Sequence, residues 1–186
     1  MVESVWCPAL SGYPCETLYG RKLYLDNKLI GVTQAAEAIH RRLFGGNYED
    51  RDLYIGGLYE QLVSAIPQYL STEYKDSLIS RLKYANEFSL RKRIRELVKA
   101  CPKEIIREMI GGNRKAVENF IDDLVNLRNS VTHRSDDSEG LSGITSRAYW
   151  MIQALKIILE MILFKEIRLS EEHICQLLKR NYRHYP

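Results

Sequence analysis

Apolar positions recur at helical spacing along nearly all of this chain. From about Asn27 to Phe44, Leu29, Ile30, Val32, Ala36, Ile39 and Leu43 form one broad apolar face, with Gly31 as a weak spot. Gly45-Gly46-Asn47 follows, built from residues that tolerate a left-handed helix stop. A second helix is predicted from about Leu53 to Leu70, kinked or closed by Pro67. A third runs from Thr72 or Lys75 to Phe88, and Ser89 is placed to cap a fourth over Leu90 to Cys101. A short helix from Lys103 to Ile110 meets a second stop, Gly111-Gly112-Asn113. Two longer patterns follow, Lys115 to His133 and Ile144 to Ile167, separated by the polar stretch HRSDDSEGLSG. Ser170 is a good cap for a last helix, with Glu171 and Glu172 in its first turn and Leu169 set to staple onto Ile174.

Residues 1–25 break this pattern. They carry Pro8, Gly12 and Pro14, several aromatics and no helical period. They read as an N-terminal arm or the remnant of an upstream domain. Residues 26–186 read as one helical domain. Strand patterns are almost absent after residue 26, so the fold class is all-α, a helical bundle with a short irregular arm.

Composition narrows the function classes only slightly. Of 186 residues, 45% are hydrophobic and 27% charged, ordinary for a globular chain. A net charge of +3 permits a polyanionic partner without demanding one. Cys7, Cys15, Cys101 and Cys175 show no CxxC spacing, and the four histidines are not grouped around them as zinc ligands. No metal and no cofactor are expected, and the cysteines read as reduced thiols of a cytoplasmic protein. The greasiest stretch, Ala148 to Phe164, carries Gln153, Lys156 and Glu160 on one polar stripe. It reads as a buried core helix and not as a membrane span.

The chemistry concentrates in Arg128-Asn129-Ser130-Val131-Thr132-His133. At about 100° per residue, Val117, Phe120, Ile121, Leu124, Leu127 and Val131 share one stripe, and Arg128 falls inside it. Asn129 and His133, four apart, share a different face with Glu118 and Asp122. An arginine in an apolar stripe is costly unless it is paired or reaches water or an anion, and its fork suits carboxylate and phosphate. Glu37 is the first choice for an acidic partner. Histidine titrates near neutral pH and serves as base or acid. These residue types suit metal-independent cleavage of an RNA phosphodiester, in which the 2′-OH is deprotonated and attacks the adjacent phosphorus. One histidine per chain is few for both proton transfers, whereas a symmetric dimer would supply two. By spacing alone, Arg-x4-His reads first as a structural arginine followed by a solvent-facing histidine near a helix end.

The sequence also resembles a known family. Arg128-Asn129 followed by His133 is similar to the R-N-x-x-x-H signature of HEPN domains. The stretch Gln34 to Phe44, the motif at Leu127 to His133, the greasy helix after it and the start at Leu169 together resemble the ApeA-like HEPN group of anti-phage defence proteins. The resemblance covers roughly residues 25 to 178. It implies a HEPN-like helical bundle and a metal-independent endoribonuclease acting in abortive infection at a composite homodimer site. Arg128, Asn129 and His133 would be its catalytic residues, and products would end in a 2′,3′-cyclic phosphate. Arg41, Arg42 and Arg134 are the expected RNA-binding residues, and Glu37 the structural partner. Some HEPN domains are inactive, so the alternative is a non-catalytic module that binds RNA, a nucleotide or a partner protein. Relatives of the ApeA-like group usually carry a larger β-rich domain upstream, so a sensor domain or regulator is a further expected partner. Ser135 stands where HEPN toxins paired with nucleotidyltransferase antitoxins often carry a tyrosine, which argues against that pairing.

Two other basic tracts stand out. Arg91-Lys92-Arg93 with Arg95, Lys99, Lys103 and Arg107 either tracks an RNA backbone or forms a solvated face paired with Glu96, Glu104 and Glu108. The tail Lys179 to Tyr185 mixes cations with aromatics, suited to base stacking or simply solvated.

Overall fold

The computed structural model describes residues 25–132 and 141–181, with side chains described except at 141–145, 179 and 181. Residues 1–24 of the expected N-terminal arm, His133, Arg134, Ser135 and the end of the basic tail lie outside the described residues, and Leu25 opens the first helix. The described residues are helical without a named strand, as the periodicity predicts. They fall into two compact units, one containing the chain up to Leu43 and from Leu90 onward, the other Phe44–Ser89.

The first unit holds α1 (Leu25–Phe44), α5 (Leu90–Ala100), α6 (Lys103–Met109), α7 (Arg114–Thr132), α8 (Leu141–Glu166) and α9 (Glu171–Asn181). Its centre is α8. A helix that is apolar nearly all round must be enclosed by others. Ala148, Met151, Ile152, Leu155, Ile158, Leu159, Met161 and Ile162 are all buried. Around them pack Leu29, Val32, Ala36 and Ile39 of α1, Ile94 and Leu97 of α5, Ile121 and Leu124 of α7, and Ile174 of α9. The polar stripe reads as predicted in part. Lys156 and Glu160 pair at 3.8 Å, but Glu160 is buried at 8% exposure. No described helix is long and apolar enough to cross a membrane.

Local signals set the ends of these helices. Gly45 and Gly111 take φ of +81° and +119°, which a side chain would resist. Asn113 accepts the Ala116 N–H at 2.8 Å and so caps α7. Ser170 Oγ accepts the His173 N–H at 3.3 Å and caps α9. Leu169 lies half-buried against the core that contains Ile174. The helix α8 begins at Leu141, three residues before the predicted start, so Leu141-Ser142-Gly143 is helical and not loop. At the other end of the core, Cys101 Sγ lies 3.4 Å from the Leu97 carbonyl, and burial pushes its thiol up to about 12. Lys165 Nζ donates to the Ala100 carbonyl at 2.9 Å.

The second unit departs more from the pattern. In place of one helix from Leu53 to Leu70 there is α2 (Arg51–Tyr54), a π-helical turn (Ile55–Tyr59) and α3 (Glu60–Ser64). Gly56 and Gly57 lie inside the π turn, where weak helix propensity lets the wider turn form. The helix stops before Pro67, which removes a backbone donor and restricts the residue ahead of it. The next helix, α4 (Thr72–Leu82), ends six residues earlier than predicted. Turns then carry the chain to Asn86, whose side chain donates to the Glu49 carbonyl at 2.9 Å and accepts its N–H at 3.1 Å. Tyr54 donates to the Leu82 carbonyl at 2.6 Å, and burial raises its phenol. Tyr54 and Asn86 are the buried residues described in this unit.

Candidate functional site

The apolar stripe of α7 lies where the sequence puts it. Phe120, Ile121 and Leu124 are buried, and Val117, Leu127 and Val131 pack partly buried on the same core. Phe120 meets Trp150 of α8 edge to face at 5.5 Å. The acids on the neighbouring face are taken by α5. Arg95 grips Glu118 with two bonds, at 3.1 and 2.6 Å, and Arg91 pairs with Asp122. Arg147 of α8 pairs with Asp123. The hydrogen bond to Glu118 raises Arg95, and the same bond holds the Glu118 carboxyl below its usual range.

Beyond these clamps α7 comes out into solvent. Arg128 is half-buried, and Asn129 and Ser130 are exposed. Here Ser130 Oγ donates to the Leu127 carbonyl at 2.8 Å and Thr132 Oγ1 to the Arg128 carbonyl at 2.8 Å. The two hydroxyls brace the turn that carries the motif. Arg128 Nη1 donates to Asn129 Oδ1 at 3.3 Å. The expected ion pair with Glu37 is not formed. No carboxylate among the described residues lies within ion-pair distance of Arg128, so its fork keeps donors for an anion.

The other predicted residues gather on α1. Glu37, Arg41 and Arg42 line a concavity of about 510 Å³ with Gln34 and Ala38. Arg41 and Arg42 are exposed, and Glu37 is half-buried. The structure therefore brings Arg128 together with Asn129, and separately Glu37 with the arginines at 41 and 42. His133 and Arg134 lie outside the described residues. No group of three or more histidines, cysteines or carboxylates among the described residues is placed to hold a metal ion.

A second histidine–arginine constellation was not assigned by the sequence. His40, fully buried, meets Glu96 Oε2 through Nε2 at 2.7 Å, and Arg93 Nη1 approaches its Nδ1 at 3.5 Å. This geometry fits an imidazole that donates from Nε2 and accepts at Nδ1. Lys92 adds a 2.7 Å bond to Glu96. That bond is the main reason the Glu96 carboxyl lies below its usual range, with the His40 bond adding to it against the opposing effect of burial. Arg93 is 2% exposed. The tract Arg91-Lys92-Arg93 is thus largely consumed by the bundle. A signal existed: Arg93 shares the α5 stripe of Leu90, Ile94, Leu97 and Cys101.

A model of the family described as Apea-like HEPN matches residues 30–173. No match to a curated protein or to a solved structure was found. The matched span includes α1 from Ile30 onward with its arginines, the whole of α7 and the start of α9. Members of the wider HEPN superfamily are often anti-phage defence nucleases.

Proposed function

The chain belongs to the Apea-like HEPN family, and from that premise we propose that it is a metal-independent endoribonuclease of anti-phage defence. The observation that carries this reading is Arg128. It leaves an apolar stripe half-buried, is steadied by Asn129, and has no carboxylate partner among the described residues. A structural arginine in that place would be answered by an acid.

In the proposed reaction a histidine at position 133 takes the proton of the substrate 2′-OH. That oxygen attacks the neighbouring phosphorus as the bond to the 5′-oxygen breaks. A second histidine, His133 of another copy of this chain, returns a proton to the leaving oxygen. Arg128 stabilises the charge developing on the phosphoryl oxygens, and Asn129 holds the guanidinium in place. Two copies of the motif around one groove supply both proton carriers. Arg41, Arg42 and Arg134 would hold flanking phosphates of the strand.

The test is incubation of purified protein with RNA in excess EDTA. Cleavage leaving 2′,3′-cyclic phosphate ends, and lost in His133→Ala, is expected. An RNA that stays intact, or cleavage that persists in folded His133→Ala, contradicts the reading. Intact RNA that is nevertheless bound would identify a non-catalytic binding module.

A further inference from the structure

A second positively charged feature lies at the opposite end of α7. A cavity of about 1100 Å³ opens where the ends of α5 and α7 meet α6 and the Gly111-Gly112-Asn113 turn. Val98, Ile106 and Val117 contribute apolar surface to its lining. Its charged lining is Arg95, Lys99, Lys103, Arg107, Arg114 and Glu118. That is a formal excess of four positive charges, on a chain whose total is +3, so the remainder of the chain is net acidic.

Four of these five cations differ from Arg95 and from the start of the α5 tract. Arg91, Lys92 and Arg95 are paired with Asp122, Glu96 and Glu118. Lys99, Lys103, Arg107 and Arg114 are exposed and form no ion pair among the described residues. The lone carboxylate, Glu118, already has both oxygens on Arg95. Lys99 and Arg114 lower it further through space, so the positive field reaches into the cavity. The turn itself is tight. A methyl at Gly111 would sit 2.9 Å from Ala116 Cβ, and one at Gly112 would sit 3.0 Å from Arg107 Cγ.

Unpaired cations gathered in one concavity repel each other and persist most readily where an anion answers them. The charge excess suits several phosphates and exceeds what a single carboxylate ligand would neutralise. The cavity lies at the start of α7, and Arg128 is fourteen residues further on, about 21 Å at the helical rise. A strand engaged at one end of α7 reaches the other within a few nucleotides.

We propose that this cavity is an auxiliary site for the phosphates of single-stranded RNA, holding the substrate at a distance from the Arg128 turn. The proposal rests on the ribonuclease reading for the identity of the strand, but binding tests it without cleavage. The probe is a short fluorescent 2′-O-methyl oligoribonucleotide, which has no 2′-OH to attack. Its binding is followed by anisotropy across a KCl titration. Lys99→Gln/Lys103→Gln should weaken binding by about tenfold, and the slope of log affinity on log salt should fall by about 1.4, at about 0.7 per lost phosphate contact on a single strand. Arg81→Gln/Lys83→Gln, the same charge change in the second unit, should leave both unchanged. Arg107→Gln/Arg114→Gln replaces the first pair if that variant unfolds earlier than wild type.

Unchanged affinity and slope in the folded cavity variants would overturn the proposal, as would failure of the wild type to bind. So would displacement of the oligonucleotide from the wild type, but not from a cavity variant, by a free nucleoside triphosphate, which would give the cavity to a small ligand. A protein that binds through the cavity yet cleaves nothing would sink the ribonuclease reading alone. A protein that cleaves, with binding indifferent to the cavity cations, would sink this one alone.

Discussion

Two arginines, thirty-five residues apart in the chain, show how differently the same side chain can be used. Arg93 is 2% exposed, and its guanidinium faces a histidine that is itself bonded to Glu96. Arg128 sits half-buried at a helix end, touching the amide of Asn129 and no carboxylate among the described residues. Both lie on otherwise apolar stripes. Burial with partners makes the first a part of the bundle, and removing such a charge strands whatever it satisfied. Partial exposure without an acid leaves the second available to something outside the chain. The comparison separates an arginine enclosed by the bundle from one whose fork faces no carboxylate among the described residues.

The largest expected effect comes from breaking the buried pair. Arg93→Ala should cost about 3–5 kcal/mol in denaturant unfolding, because buried partners lose their donor. A loss below about 1 kcal/mol would mean that the network contributes little. His40→Ala should cost less, about 1–3 kcal/mol, for leaving Glu96 and Arg93 each short of one bond.

Acid should act on the same network. Glu96 is held below its usual range by Lys92 first and His40 second. A carboxyl depressed in the folded state contributes stability that is present above its unfolded value, about 4.3, and is lost as pH falls through the folded value. Unfolding midpoints measured from pH 6 downward should fall less steeply in Glu96→Gln than in wild type. Equal slopes would remove Glu96 from the acid response. The smallest effect on stability is expected at the other arginine. Arg128→Ala should shift unfolding by no more than about 0.5 kcal/mol, as surface changes do. A loss comparable to that of Arg93→Ala would make Arg128 structural.

The sequence made one half of this comparison legible. The stripe from Val117 to Val131 fixed the core face of α7 and showed that Arg128 was out of place in it. The Gly-Gly-Asn stops were legible because a positive φ leaves so few residue choices. Arg93 is hidden by its charged neighbours, since a basic run has the composition of a solvated face even where one member shares the Leu90–Cys101 stripe. Its partner His40 comes from a helix fifty-three residues away, a pairing that no local pattern contains. The π turn at Ile55–Tyr59 and the early end of α4 were illegible for a related reason. In the second unit few residues are buried, so polar contacts such as Asn86 with Glu49 decide where helices stop. The Glu37–Arg128 pairing failed because complementary charge says nothing about whether packing brings two helix faces together.

The most direct measurement is the rate of RNA cleavage in EDTA by Arg128→Ala, taken beside its unfolding free energy. Loss of a group that stabilises charge only in the transition state costs about 10²–10³ in rate. The account predicts a fall of that size in a protein as stable as wild type. A wild-type rate in the folded variant would contradict it.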